Sequence, residues 1–532
     1  MANNFKEAGI LLFASWNINL EEVPIEQLDH YIAVENFLTE KDEPLQDAPP
    51  IKQVRGYLEA FHHLCEVEDW ERGSKVLFTR LDTPSKEELH CQLQTWGYDS
   101  ELIGLYNKML GKLSLNQEVV FSISLGRSYS ALALYRQAIK YYQQGLAIAQ
   151  KIGDRNREGI AIGNLGVVYR LLGDYHQAID YQQQRLILSR ANADRVGEAS
   201  VMGNLGNIYY SKGNYHQAID YYQQWLSITR EIDDHSGQGR ALGGLGIVYK
   251  SLGDYHQAIE YYHQSLAIAR KIGERKAEGK TLGNIGIAYK HLGYYERAIE
   301  YYHQSLAIAR EIGDRVLEAN TLGNMGSACR EQGYYERAIE YQLQRLAIAR
   351  EIGDRAGEGI SLGNLGNAYY CLESYAKAVK YQQQSLNISR EIGDRYGEAN
   401  SLLCLGICYH SLTDYLQAID YCQQGLTIAR LIGNPHIEGR ALCCLGGTFI
   451  KLEQYSQAQE NLQEALEICG EIGEQYTKAY AFRNLAELYQ KLGDRTRALE
   501  YCNQALAIAT KLGIPLAQEC QGLEKQLLSE EA

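Results

Sequence analysis

"GNLGNIYYSKGNYHQAIDYYQQ" runs from Gly203 to Gln224. It reads as helix, turn, helix. Gly213 ends the first helix and Asn214 starts the second, a C-cap and an N-cap in tandem. The first helix carries two glycines three residues apart, Gly203 and Gly206. Each costs about 1 kcal/mol relative to alanine inside a helix. A chain that accepts this twice in one turn has a reason at each position.

The same text recurs along the chain. Gly126, Gly166, Gly206, Gly246, Gly286, Gly326, Gly366, Gly406 and Gly446 fall 40 residues apart, and Ala486 takes the tenth place. Ala138 starts a second row that keeps step through Ala218 to Ala498. Ten repeats in strict register occupy residues 115–512. In the third, helix A is predicted over about Gly197–Lys212, with Met202, Leu205, Gly206 and Tyr209 at helical spacing. Helix B is predicted over about Tyr215–Glu231, burying Tyr215, Ala218, Ile219, Tyr222, Leu226 and Ile228. Repeats are joined by "IGDR" text, as at Gly153–Asp154, Gly313–Asp314 and Gly353–Asp354, where glycine stops one helix and aspartate caps the next. One helical hairpin cannot bury both of its faces, whereas stacked hairpins can. The expected fold is all-α, a right-handed α-solenoid (superhelix) of stacked helical hairpins, with Gly206 and Ala218 letting helices A and B approach closely.

Leu205, Gly206, Tyr209, Ala218, Tyr222 and Leu226 resemble the tetratricopeptide repeat (TPR) consensus in type and order, with a period of 40 residues where 34 is usual. The longer repeat is similar to the arrays of Pins-type adaptors and of bacterial signalling proteins. The resemblance implies a non-catalytic protein-interaction scaffold. The Pins-type adaptors also carry short G-protein-binding motifs after their repeats. No such tail is read up to Ala532, and that activity is not carried over. Tyr57–Leu77 resembles a degenerate repeat, with Trp70 in the tyrosine place and Gly73 in the alanine place, and Leu89–Leu110 a shorter one. The expected organisation is therefore an acidic, irregular leader and linker at 1–50, degenerate TPR-like helices at 51–114, ten repeats at 115–512 and a capping helix at 513–532. Asp42–Pro50 is read as the linker. The leader resembles segments that join TPR arrays to ATPase modules. This supports the alternative of a regulatory or sensor array in a nucleotide-driven signalling system.

Composition agrees with a copied motif: 41 Tyr stand against 8 Phe, and 50 Gly against 7 Pro. A net charge of -14 argues against a general nucleic-acid binder. No apolar run approaches the roughly 18 residues that span a bilayer, and the N-terminus has no basic leader. A cytoplasmic protein is expected, without membrane insertion. The 12 cysteines keep no regular spacing and read as reduced, apolar fillers.

Candidate chemistry is thin. "GERKAEGKT" (Gly273–Thr281) ends like a phosphate loop, but five residues separate Gly273 from Gly279, and the segment joins helices. His176, His216 and His256 recur at one place near the start of helix B, where neighbours 8–10 Å apart cannot share a zinc ion. Cys404, Cys408, Cys443 and Cys444 lie on consecutive A helices, and packing is weighed there against a thiol metal site or redox pair. No enzyme, cofactor, metal or small-molecule substrate is expected.

The resemblance also implies that the A helices line a concave wall. Three residues before the packing glycine stand Gly163, Gly203, Gly243, Gly283, Gly323 and Gly363; two before stand Asn164, Asn204, Gly244, Asn284, Asn324 and Asn364. One after come Asn207 and Asn367; four after come Arg170, Tyr210, Lys250, Lys290, Arg330 and Tyr370. An amide carries donors and acceptors, so a ladder of them suits an extended peptide backbone. The glycines would let that chain come near, and the cations would select acidic side chains. The Gly-Asn pair gives way to Leu403–Cys404 and Cys443–Cys444, which reads as the end of a groove over repeats two to seven. The expected partner is a protein bound through an extended, acidic segment. The other reading is that the asparagines hold the superhelical pitch and the cations are solvated surface.

Overall fold

The computed structural model describes residues 2–39, 49–81, 83 and 86–529. Its contacts group the chain into two compact units, residues 1–328 with 351–353, and residues 329–350 with 354–532. Helical hairpins follow one another in sequence through both, which is the all-α solenoid architecture expected.

Repeat 3 shows how the text folds. Helix A runs Arg195–Ser211, its first turn capped by Asp194, whose side chain accepts from the Gly197 amide. Gly213 turns the chain at φ 76°, a conformation glycine adopts without steric cost. Asn214 caps helix B, Tyr215–Glu231, by accepting from the Gln217 amide. Between repeats 1 and 2, Gly153 at φ 73° ends one helix and Asp154 caps the next, as the "IGDR" text implies.

The packing glycine seats a side chain of helix B. A Cβ at Gly206 would lie 2.7 Å from the ring of Tyr222, and at Gly246 and Gly286 2.5 Å from those of Tyr262 and Tyr302. Those three rings are buried. A second tyrosine pair closes the hairpin on its other side. Tyr209 stacks on Tyr221 with centroids 5.2 Å apart, and Tyr169–Tyr181, Tyr249–Tyr261 and Tyr369–Tyr381 do the same at 5.3 Å. The seated rings of four hairpins and the tyrosine stacks of most contribute to the tyrosine excess, whereas Gly166 and Gly366 seat Gln182 and Gln382, and Gly406 and Gly446 seat Cys422 and Leu462.

Residues 2–39 are not irregular. Helices occupy Ala2–Ser15 and Ile25–Thr39, with a short 3-10 turn at Leu20–Glu22. They fold because Phe5, Trp16, Tyr31, Val34 and Leu38 share a core with Tyr57 and Phe61. Most of the predicted linker lies outside the described residues. The two degenerate segments are hairpins, Arg55–Glu66 with Trp70–Leu77, and Leu89–Trp96 with Asp99–Met109. Within the first compact unit, the turn of the second hairpin docks on inter-repeat turns far along the chain. The Trp96 indole covers Gly313, and Tyr98, 1% exposed, donates to Glu351 Oε1 at 2.8 Å. At the other end, helix Leu516–Ser529 buries Leu516, Cys520 and Leu527 in the last core cluster.

Candidate functional site

The A-helix rows can now be placed. Gly163 and Gly203 are buried, and their missing side chains make room for the protein's own residues, not for an incoming chain. A Cβ at Gly203 would lie 2.8 Å from the indole of Trp225, and one at Gly163 2.9 Å from Arg185 Cδ. Both partners come from helix B of the same repeat. This corrects the expectation that these glycines admit a peptide.

The asparagines two before the packing glycine are half-buried at the seams between repeats. Asn204 donates to Gln182 Oε1 of the preceding repeat at 3.2 Å. Asn164 holds its amide nitrogen buried and without a hydrogen-bond partner among the described residues. Asn284, Asn324 and Asn364 make no side-chain hydrogen bond there. The residues one after are spent internally: Asn207 Oδ1 accepts from Tyr222 at 2.7 Å, and Asn367 Oδ1 accepts from Gln382 Nε2 at 2.9 Å. The residues four after reach along the row to the next A helix. Arg170 donates to Ser211 Oγ at 3.1 Å, Tyr210 meets Ser251 Oγ at 2.8 Å, Lys290 reaches Ser327 Oγ at 3.5 Å and Tyr370 meets Ser411 Oγ at 3.2 Å. Lys250 is half-buried in the same row, and Arg330 lies 3.9 Å from Glu331. Part of the row is therefore structural, as the pitch-holding reading has it, and part carries free amide groups.

A model of the family described as tetratricopeptide repeat matches residues 119–190, 197–271, 278–351, 357–431 and 437–511. The chain belongs to the tetratricopeptide repeat family. Among solved structures, the apo form of RapI is similar with a TM-score of 0.53 and 15% identity, covering 67% of this chain and 98% of that one. A STAND signal transduction ATPase with a tetratricopeptide repeat sensor, from Pyrococcus horikoshii, gives 0.49 at 15% identity, over 96% and 75% of the two chains. A Rap protein complexed with Competence and Sporulation Factor gives 0.47 at 17% identity, over 67% and 99%. At these identities the likeness is one of fold. No curated protein matches the sequence.

The TPR boundary text encodes an ion network that the sequence reading missed. In "REI…R…E", the arginine ending one helix B and the arginine opening the next helix A converge on one glutamate. Arg190 Nε lies 3.0 Å from Glu198, which Arg195 also contacts, and Arg195 reaches on to Glu231 at 2.5 Å. Arg270, Arg275, Glu278 and Glu311 repeat the pattern, as do Arg350, Arg355, Glu358 and Glu391. Burial raises the Glu198 carboxyl pKa, but the hydrogen bonds from Arg190 and Arg195 outweigh it and leave the group below its usual value. The signal was in the sequence: arginine and glutamate eight residues apart at six of the nine boundaries, as at Arg190 and Glu198. In the A-helix row, Arg170 and Lys250 make no ion pair among the described residues.

The remaining candidates resolve into packing. His176, His216 and His256 are exposed. Gly279 and Lys280 of the phosphate-loop look-alike lie inside helix Arg275–His291. Cys404, Cys408 and Cys443 are buried, and burial pushes the Cys408 thiol up to about 12, so it stays protonated at neutral pH. Among the described residues, Glu88, His90 and Cys91 are the one set of three possible ligands whose atoms all lie within 4.8 Å of one another. Cys91 Sγ sits 3.9 and 3.6 Å from the two ring nitrogens of His90, hence over the ring face and out of line with either lone pair. Nε2 is already bonded to Glu88 at 3.0 Å. That is a hydrogen-bonded histidine, not a tetrahedral site.

Proposed function

We propose that this TPR chain is a non-catalytic scaffold whose A-helix row binds an extended, acidic segment of a partner protein. One observation carries the reading. An acidic chain that gives most of its boundary arginines a carboxylate leaves Arg170 and Lys250 with none, on the row that also holds the free amides of Asn284 and Asn324. Amides grip a backbone of almost any sequence, and unmatched cations select carboxylates. The test is a fluorescence-anisotropy panel of extended peptides equal in length and opposite in charge. Acidic peptides are expected to bind in a salt-dependent way, and Arg170→Gln with Lys250→Gln to weaken them about tenfold or more. Equal binding of both charge classes, or no effect of the double substitution, refutes the reading.

A regulatory role is supported by a separate observation, the docking of Trp96 and Tyr98 on Gly313 and Glu351. That contact gives the N-terminal helices a physical link to the state of the repeats, as a sensor array needs.

A further inference from the structure

The residue of helix B that packs against the A helix near its start is small in most repeats: Gly145, Ser265, Ser305, Ser385, Gly425, Ala465 and Ala505. Where it is serine, it satisfies itself. Ser265 Oγ donates to the Gly239 carbonyl at 2.8 Å, Ser305 to Gly279 at 2.8 Å and Ser385 to Gly359 at 3.0 Å. Repeat 3 has Trp225 in this place, and repeats 2 and 6 have arginine, Arg185 and Arg345; repeat 2 keeps the glycine, Gly159.

Arg185 lies across Gly163, with Cζ 3.0 Å from where a Cβ would stand. It makes no hydrogen bond and no ion pair among the described residues. Burial lowers its pKa, with Asp194 opposing, though an arginine stays charged at neutral pH. The guanidinium borders a cavity of about 330 Å³ whose other polar walls are Arg155, Asn156, Ser189, Asn192 and Asp194. Arg155 already pairs with Glu158 at 2.8 Å, and Asp194 Oδ1 accepts the Gly197 amide at 2.8 Å. The amides of Asn156 and Asn192 have no partner among the described residues. The Arg185 guanidinium lies at the level of Gly163, seven residues before Arg170 on helix Arg155–Leu171, or about 10 Å away along the axis at 1.5 Å per residue.

A half-buried arginine whose neighbouring carboxylate, Asp194, makes no ion pair with it is costly, and its planar fork is shaped for a bidentate oxyanion. We propose that this cavity binds a small ligand through a phosphoryl or carboxylate oxyanion held by Arg185, with Asn156 and Asn192 supplying further donors. Asp194 Oδ2 then faces any donor group of the ligand. The site stands independently of the peptide reading.

The experiment is isothermal titration of the full chain with inorganic phosphate and, separately, with succinate, at fixed ionic strength in chloride. Binding of phosphate identifies a phosphoryl ligand; binding of succinate identifies a carboxylate. Arg185→Ser should weaken whichever binds by about 30-fold or more. That variant carries the side chain that repeats 4, 5 and 7 already hold in this register, so it is expected to fold. Its melting temperature without ligand should equal or exceed that of the parent, because an unpaired charge is replaced by a hydroxyl able to reach the Gly159 carbonyl. No binding of either anion by the parent overturns the proposal, as does equal binding by parent and variant.

Discussion

Gly203 was expected to admit a partner, and its surroundings assign it to Trp225 instead. The two roles separate in a double-mutant cycle. A methyl at Gly203 would stand 2.8, 2.9 and 3.0 Å from three atoms of the indole, all closer than carbon atoms rest. Overpacking of this kind costs about 1–3 kcal/mol, while alanine for glycine within a helix returns about 1 kcal/mol. Gly203→Ala alone should therefore destabilise repeat 3 by at most about 2 kcal/mol. With Trp225→Ser the obstruction is gone, since Gly243 beside Ser265 has its nearest neighbour atom at 3.7 Å. In that background Gly203→Ala should stabilise by up to about 1 kcal/mol, a coupling of about 1–3 kcal/mol. Repeat arrays depart from two-state unfolding, so the readout is native-state hydrogen exchange of amides in helix Arg195–Ser211. Additive effects would refute the packing account. If Gly203→Ala left exchange unchanged and abolished acidic-peptide binding, the original reading of this glycine would return.

The other expectations are brief. Glu198 and Glu398 titrate below their usual value in the folded chain, so their contribution is complete above about pH 4.5 and is lost as pH falls through the lowered pKa. Urea midpoints should fall below pH 4.5, and the double substitution Glu198→Gln and Glu398→Gln should flatten that fall; an unchanged pH profile would count against the network. Tyr98→Phe removes a hydrogen bond to a carboxylate, an interaction that contributes about 1.5–3 kcal/mol. Exchange in helices Leu89–Trp96 and Asp99–Met109 should rise about 10- to 100-fold, while unchanged protection would show that the docked turn does not depend on Glu351.

What was legible in the sequence was whatever repeats. The 40-residue period fixed the hairpins, the Gly213–Asn214 turn and the helix bounds of repeat 3 to within two residues, because caps and apolar spacing are local. Contacts between distant residues were not legible. Tyr98 and Glu351 are 253 residues apart, and nothing in either segment announces the other. The helices of the first 39 residues were missed because their apolar residues, from Phe5 to Leu38, share no repeat, and they fold against a core supplied by Tyr57 and Phe61. The arginine–glutamate network was visible and passed over, because the boundary was read for its glycine and aspartate alone.

The loss of Gly-Asn after repeat seven has a packing explanation that reshapes the site. In repeat 1 the A helix carries Ile123 and the B helix Gly145, where an added Cβ would stand 3.0 Å from Ile123. In repeat 8 Leu403 faces Gly425, whose added Cβ would stand 3.3 Å from the Leu403 amide nitrogen. In repeats 2 and 3 the bulk is on the other helix, as Gly163 with Arg185 and Gly203 with Trp225. In repeats 4, 5 and 7 both sides are small, Gly243 with Ser265, Gly283 with Ser305 and Gly363 with Ser385, so a transfer of volume accounts for only part of the glycine row. The asparagine ladder has to be judged without it, on the unmatched charges of Arg170 and Lys250. Volume exchange across the seam also explains small residues on one helix opposite large ones on the other, but it gives no reason for a charge. Arg185, with Arg345 at the same place in repeat 6, is therefore what packing alone leaves unexplained in the row.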